Sequence, residues 1–342
     1  MMSRRTVLAG MGALAAAAQD AGAKLIKPRA LKAGDTVGLI TPSTAVTDPE
    51  RLLTAERTIR YFGLVPKWGK NVAKKAGYLG GSVDERVEDL HAMFRDDSVK
   101  AVFAIRGGYG SAQILPEIDY HLIRANPKIF AGYSDITAMH LAFRRMTGLV
   151  TFHGPVTLSR FSDYTLDHFK RAIFDPKPLG TLANPPEPNT LRPRHFLRTL
   201  RGGKARGPLI GGNLSLISST MGTPYEIQTD GHVLFLEDVE EQPYSMDRML
   251  TQLRLAGKFK NIRGLVIGEC AGCVPRDYKP SFESTFSLGE VLDNILGDLP
   301  VPVLSGLTIG HTEDQLTLPL GVTATLDADA ATLTIEEPAL TE

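Results

Sequence analysis

Residues 129–146 read IFAGYSDITAMHLAFRRM and contain the step from a short apolar run to a stretch predicted as a helix. The run is uncharged, as expected of a buried strand, and the step falls at Gly132-Tyr133-Ser134-Asp135. A serine on such a tight turn exposes its hydroxyl at the sheet edge, and the first amides of the helix can hold an oxyanion. The segment thus favours a nucleophilic Ser134, although these residues alone also fit a helix cap at Ser134 or Asp135.

The alternation of apolar and amphipathic segments continues outward from this stretch. Apolar runs at 36–41 and 99–105 predict strands, and stretches at 49–62 and 83–94 predict helices. Strands that alternate with helices of this length predict an α/β fold whose parallel sheet is covered on both faces. Ligands in such folds bind at the carboxyl ends of the strands.

Length and composition predict two domains. The chain has 342 residues, enough for about two domains of roughly 150 residues each. An N-terminal α/β domain is expected at 30–167, a proline-rich linker at 168–206, and a smaller, strand-rich α/β domain at 207–338. The second domain is predicted to hold strands at 232–236, 264–268 and 324–335 and a helix at 245–256.

The charge balance and the cysteine count exclude several classes of protein. Lys plus Arg and Asp plus Glu both number 38, so the net charge is zero, which argues against a nucleic-acid binder. The two cysteines, Cys270 and Cys273, are too few for a disulfide scaffold or a four-cysteine zinc site. Their spacing leaves both a disulfide and two reduced thiols open. The chain has no phosphate-binding loop motif, so the sequence does not support nucleotide binding.

The first 23 residues have the pattern of an export signal. Arg4 and Arg5 precede an uncharged apolar run at 6–18, and small residues follow at 21–23. The run is too short for a permanent membrane span, which needs about 20 residues. The adjacent arginines favour a twin-arginine signal over an ordinary secretory signal, and both place the mature protein outside the cytoplasm, in the periplasm.

A serine nucleophile requires a base and an acid, and the residues offer two candidates for each. His153 and His311 both end apolar runs at positions where loops form. Glu237 and Asp238 end the apolar run that begins near residue 232. The sequence pattern by itself does not choose between the members of either pair.

A set of short motifs resembles the muramoyl-tetrapeptide L,D-carboxypeptidase family, the serine peptidases that also include the microcin C immunity hydrolases. The resemblance covers about residues 30–338, and it implies a first domain similar to class I glutamine amidotransferases and an active site in the cleft between the domains. The motifs are 36–42, 106–110, 132–137, His153-Gly154-Pro155, 211–214, 236–238 with Pro243-Tyr244 and Asp247-Arg248, and Gly310-His311-Thr312.

The resemblance also implies a role for individual residues. Ser134 would be the nucleophile, Glu237 the triad acid and His311 the base, with His153 and Asp238 in supporting positions. The oxyanion would be held by amides of Asp135 and of Gly107 or Gly108, which follow a predicted strand. Arg106 would bind the terminal carboxylate of the substrate, unless it forms a structural ion pair.

The expected activity is release of terminal D-alanine from peptidoglycan tetrapeptides, with a muropeptide as the substrate, no metal or organic cofactor, and no nucleic-acid partner. The family resemblance is also consistent with a homodimer. One alternative is a microcin-C-type immunity hydrolase that cleaves an aminoacyl-nucleotide amide, in which Phe196 could stack on a base. Another is a muropeptide-binding protein that has lost catalysis, which the presence of all three triad residues argues against.

Overall fold

The predicted strand and helix alternation forms the first sheet of the protein. The computed structural model describes residues 24–187, 191, 193–276, 282 and 285–342, so the expected export signal at 1–23 lies outside the described residues. The strands of this region are β1 (Thr36–Ile40), β2 (Val65–Trp68), β3 (Val99–Ala104), β4 (Ile129–Gly132) and β5 (Phe152–His153). The helices are α1 (Pro49–Tyr61), α2 (Val83–Arg95), α3 (Tyr120–Ala125), α4 (Thr137–Thr147) and α5 (Asp163–Phe174), with 3₁₀ helices at Ser111–Glu117 and Ser134–Ile136.

Local capping explains where several of these helices begin. Ser82 and Glu85 form a reciprocal capping box at the start of α2, and Asp48 accepts a hydrogen bond from the Glu50 amide at the start of α1. The start of the helix after β4 differs from the prediction. A 3₁₀ helix at Ser134–Ile136 precedes α4, and neither of these two helices begins with a side-chain cap. The interpretation of Ser134 or Asp135 as a helix cap is therefore wrong.

The second sheet contains the strand-rich part of the chain. Its strands are β6 (Gly180–Leu182), β7 (Arg198–Arg201), β8 (Lys204–Asn213), β9 (Val233–Val239), β10 (Gly264–Ala271), β11 (Val303–Leu307), β13 (Thr323–Asp327) and β14 (Thr332–Ile335). The helices of this region are α6 (Leu214–Ser219), α7 (Pro243–Leu255) and α8 (Leu288–Leu296), and the short strand β12 is Leu318–Pro319.

Both sheets have a parallel centre. Within the described residues, the first sheet has the order β12-β5-β4-β3-β1-β2, in which β1 to β5 pair in parallel. The second has the order β6-β14-β13-β8-β9-β10-β11-β7, with parallel pairing from β8 to β11 and antiparallel pairing outside them. The predicted two-part α/β architecture is confirmed. The resemblance of the first part to class I glutamine amidotransferases remains a prediction.

The proline-rich range 168–206 differs from the expected linker. It begins inside α5, and β6 and β7 form the two edges of the second sheet. Edge strands tolerate nearby prolines because one side of an edge strand needs no hydrogen-bond partner, so the composition concealed them. Asn184 also accepts a hydrogen bond from the Thr308 amide at 2.9 Å, which attaches this range to the second sheet. Residues 188–190 and 192 of this range lie outside the described residues.

One long-range strand pairing crosses the expected domain boundary. Strand β12, which belongs to the second half of the chain, pairs antiparallel with β5 and completes the first sheet. Cys270 and Cys273, at the end of β10, form a disulfide.

Within the described ranges, no helix has the length and apolar character needed to cross a membrane. The same ranges contain no group of three or more His, Cys, Asp or Glu side chains arranged to hold a metal ion.

Candidate active site

Ser134 lies on a strained turn directly after β4. Its φ of +64° is in the left-handed region that a residue with a side chain rarely adopts. This conformation directs the backbone sharply from the strand into the 3₁₀ turn and brings the serine to the carboxyl end of the parallel sheet. The serine therefore occupies the strand-end position predicted from residues 129–146.

The second half of the chain places a histidine and a glutamate against Ser134. The His311 Nε2 atom lies 3.1 Å from Ser134 Oγ, and its Nδ1 atom lies 2.9 Å from Glu237 Oε2. Glu237 belongs to β9, and His311 follows β11, so the three side chains meet between the two sheets. Because a carboxylate only accepts hydrogen bonds, Nδ1 carries the proton and Nε2 is free to accept one from Ser134.

Gly310 allows the glutamate and the histidine to approach each other. Its φ is +87°, and a Cβ atom at this position would lie only 2.0 Å from Glu237 Oε2. Any other residue would therefore displace the carboxylate. Sequence reasoning did not assign a role to this glycine, although a glycine directly before the candidate base was the available signal.

The environment of His311 favours its protonated form. Burial by itself lowers the pKa of His311, but the hydrogen bond and charge of Glu237, assisted by Asp238 and Glu240, outweigh it and raise the pKa above its ordinary value. The ring of Tyr133 packs beside the imidazole with centroids 4.8 Å apart. Glu237 thus stabilises the imidazolium that forms when His311 accepts a proton.

The two aspartates next to the triad residues form separate networks. Asp135 is buried, and its carboxylate accepts hydrogen bonds from Ser43 Oγ and from the Ser111 amide. Asp238 accepts hydrogen bonds from Asn213 and from both the amide and the hydroxyl of Ser215. Burial, together with the nearby charge of Glu237, raises the pKa of Asp238 to about 6. Both side chains therefore support the loops around the site and do not contact the serine hydroxyl.

The glycine turn after β3 lies against the serine. A Cβ atom at Gly107 would lie 3.0 Å from Ser134 Cβ and 3.3 Å from its Oγ, so the backbone passes directly beside the hydroxyl. Gly108 has a φ of +113° and packs against Thr44, whose hydroxyl accepts a hydrogen bond from the Tyr109 amide. This geometry places the backbone of the turn next to the Ser134 hydroxyl.

Arg106 lies at the same turn without an acidic partner. Its side chain is partly buried, its Nε atom has no hydrogen-bond partner and, among the described residues, it forms no ion pair. Burial and the like charge of Arg51 lower its pKa, yet a guanidinium remains charged at neutral pH. The alternative of a structural ion pair is therefore wrong for the described residues.

His153, the other candidate base, lies behind the glutamate. It is fully buried on β5, and its Nε2 atom is 3.8 Å from Glu237 Oε1. Because His311 takes the position between Glu237 and Ser134, the tertiary structure decides between the two histidines. The sequence predicted only a supporting position for His153, without naming its contact with Glu237, and predicted no role for Tyr133.

Comparison with known proteins agrees with this geometry. Residues 37–154 match the LD-carboxypeptidase N-terminal domain, and residues 206–326 match the LD-carboxypeptidase C-terminal domain. The probable murein peptide carboxypeptidase of Bacillus subtilis is 43% identical over 310 residues, covering 91% of this chain and 94% of the relative. The microcin C7 self-immunity protein MccF of Escherichia coli is 30% identical over 337 residues, covering 90% and 94%.

A solved structure is also similar to this chain over most of its length. The muramoyltetrapeptide carboxypeptidase from Oxalobacter formigenes superposes with a TM-score of 0.75 at 28% identity, covering 89% of this chain and 99% of that one. Both family domains match in the expected order, and the similarity to these relatives extends over most of the chain. The protein belongs to the LD-carboxypeptidase family of serine peptidases.

Proposed function

We propose that the protein is a serine L,D-carboxypeptidase that hydrolyses the L,D amide bond of peptidoglycan tetrapeptides and releases terminal D-alanine. The observation that carries this proposal is the continuous hydrogen-bonded series from Ser134 through His311 to Glu237. Relatives named murein peptide carboxypeptidase and murein tetrapeptide carboxypeptidase support the choice of substrate.

The arrangement performs acyl transfer in two halves. His311 Nε2 accepts the proton of Ser134 as Oγ attacks the scissile carbonyl, and Glu237 stabilises the resulting imidazolium. The tetrahedral intermediate collapses when Nε2 returns this proton to the leaving amine, which departs as D-alanine. Water then attacks the ester carbonyl with His311 again as the base. His311 returns this proton to Ser134 Oγ as the acyl–oxygen bond breaks, and the shortened peptide leaves with a new carboxylate.

Backbone amides and one arginine complete the proposed site. The Asp135 amide and an amide of Gly107 or Gly108 hold the oxyanion, a role in which one lost donor costs about 100- to 1000-fold in rate. Arg106 binds the terminal carboxylate of D-alanine, since a guanidinium binds a carboxylate with two parallel hydrogen bonds. Its lack of an acidic partner in the described residues supports this assignment.

Mass spectrometry of a purified tetrapeptide muropeptide tests the proposal directly. Incubation with the protein should remove one D-alanine, and Ser134→Ala should abolish the release. Arg106→Gln should raise KM while kcat changes little, because the arginine contacts a part of the substrate that does not react. Unchanged release by the Ser134→Ala variant would eliminate the assignment of the nucleophile.

A second candidate function is hydrolysis of an aminoacyl-nucleotide amide. Phe196 favours it, because this ring is 73% exposed next to His195, whose imidazole contacts Asp314 on the His311 loop. An aromatic ring in this position could stack on a nucleobase. Parallel assays with a tetrapeptide and an amide-linked aminoacyl nucleotide separate the two functions. Faster hydrolysis of the aminoacyl nucleotide than of the tetrapeptide would favour the second function, provided that Phe196→Ala reduces it.

We also propose that the protein acts in the periplasm. The support is the sequence pattern of residues 1–23, in which Arg4 and Arg5 precede a short apolar run. Cell fractionation of the full chain should find the mature protein outside the inner membrane. Replacement of both arginines by lysine should retain it in the cytoplasm if the signal uses the twin-arginine route.

A further inference from the structure

Two buried polar groups behind the triad face each other without partners. Glu237 Oε2 accepts the hydrogen bond of His311, whereas Glu237 Oε1 has no hydrogen-bond partner. The Nε2 atom of His153 lies 3.8 Å from this Oε1 atom, and neither ring nitrogen of His153 has a partner. Both side chains are completely buried. An unsatisfied carboxylate oxygen in an apolar interior is costly, so this pairing requires an explanation.

The surrounding backbone holds His153 in this position. His153 pairs with Gly132 of β4 on one side and with Leu318 of β12 on the other. Gly132 is also two residues before Ser134. The strand that ends just before the nucleophile therefore also fixes the position of His153 by pairing with it. On the other side, Gly310 and Gly268 pack closely against Glu237, which leaves Oε1 directed towards β5.

The environment keeps His153 neutral. Burial, with the positive charges that His140 and His311 can carry, lowers the pKa of His153 well below its ordinary value. A neutral imidazole carries one N–H group and can donate a hydrogen bond to a carboxylate without adding a second buried charge. Approach by about 0.9 Å would bring Nε2 and Oε1 to the usual hydrogen-bond distance.

We propose that His153 is a positioning residue that donates its Nε2–H to Glu237 Oε1 and thereby keeps Oε2 aimed at His311. Glu237 then lies between two imidazoles with different tasks. His311 exchanges the proton of Ser134, and His153 holds the carboxylate in the plane that His311 needs. The inference rests on the proposed triad and extends it by one residue that does not touch the substrate.

Two substitutions at His153 distinguish positioning from packing. His153→Gln retains an N–H donor near the position of Nε2, whereas His153→Leu retains apolar volume among Phe235 and Tyr133 and removes the donor. If His153 positions Glu237, the leucine variant should lose about 10- to 100-fold in kcat with little change in KM, and the glutamine variant should recover most of it. If His153 only fills space, the leucine variant should retain a higher kcat than the glutamine variant.

The rate at which a fluorophosphonate labels Ser134 measures triad activation independently of the natural substrate. Labelling and D-alanine release should fall together in His153→Leu, while His168→Leu, a matched change at a buried histidine of α5, should match the wild type. Labelling without D-alanine release by the wild type would overturn only the proposed function. Labelling of His153→Leu at the wild-type rate would overturn the inference.

A measurement on the wild type covers the case in which the substitutions prevent folding. In protein with ¹⁵N-labelled histidine, His153 can be assigned through its contact with Phe235, where the ring centroids are 5.2 Å apart. A neutral ring protonated at Nε2 is the expected result. A ring protonated only at Nδ1 would overturn the inference, because Nε2 could not donate to the glutamate.

Discussion

Substitution of Gly310 by alanine tests how closely the triad is packed. The new Cβ atom would lie 2.0 Å from Glu237 Oε2, and ordinary contact requires about 3.4 Å, so one group must move by about 1.4 Å. Movement of the carboxylate breaks its 2.9 Å hydrogen bond with His311. Since a 1 Å misplacement in an active site can cost about 100-fold, kcat should fall by at least about 100-fold.

The substitution also affects stability, and a second glycine separates the two effects. The φ of Gly310 is +87°, so alanine adds backbone strain of about 1–2 kcal/mol to the folded state. Gly257, just after α7, has a φ of +74° with no atom within 4 Å of an added Cβ, so Gly257→Ala incurs similar strain without contacting a triad residue.

Urea unfolding and the kinetics of D-alanine release should be measured on both variants. Both should lose unfolding free energy through backbone strain, and Gly310→Ala should lose more because it also breaks a buried hydrogen bond. Only Gly310→Ala should lose activity. A folded Gly310→Ala variant with a kcat within about threefold of the wild type would refute the packing argument.

Three further predictions concern pH, the proline-rich range and a helix start. Because the pKa of His311 lies above 6.5 and the base must be neutral, kcat/KM should fall as pH decreases through that pKa, and a midpoint below 6.5 in a pH profile would contradict this. His195→Ala removes contacts to Glu269 and Asp314 and should lower the unfolding free energy in urea by about 2 kcal/mol; no change would count against it. Ser82→Ala should lower the unfolding free energy in urea by about 1 kcal/mol because it removes the helix cap, and an unchanged value would contradict the capping role.

Local sequence determined much of the fold and the position of the candidate nucleophile. The apolar runs and amphipathic stretches predicted the strands β1, β3 and β4 and the helices α1, α2 and α4, because burial periodicity is a property of neighbouring residues. The same local argument placed Ser134 at the turn after β4. It failed for the proline-rich range, where β6 and β7 are edge strands whose pairing depends on distant partners.

The sequence by itself therefore determined the alternating architecture, the strained serine turn and, through combined motifs, the residues expected to form the triad. Only the tertiary structure decided that His311, 177 residues from Ser134, and not His153, contacts the hydroxyl. It also decided that Glu237 has a histidine on each side and that Gly310 leaves room for the carboxylate. The physical reason is that periodicity and turn chemistry act between neighbours, whereas hydrogen bonds within a buried site depend on how the two sheets pack.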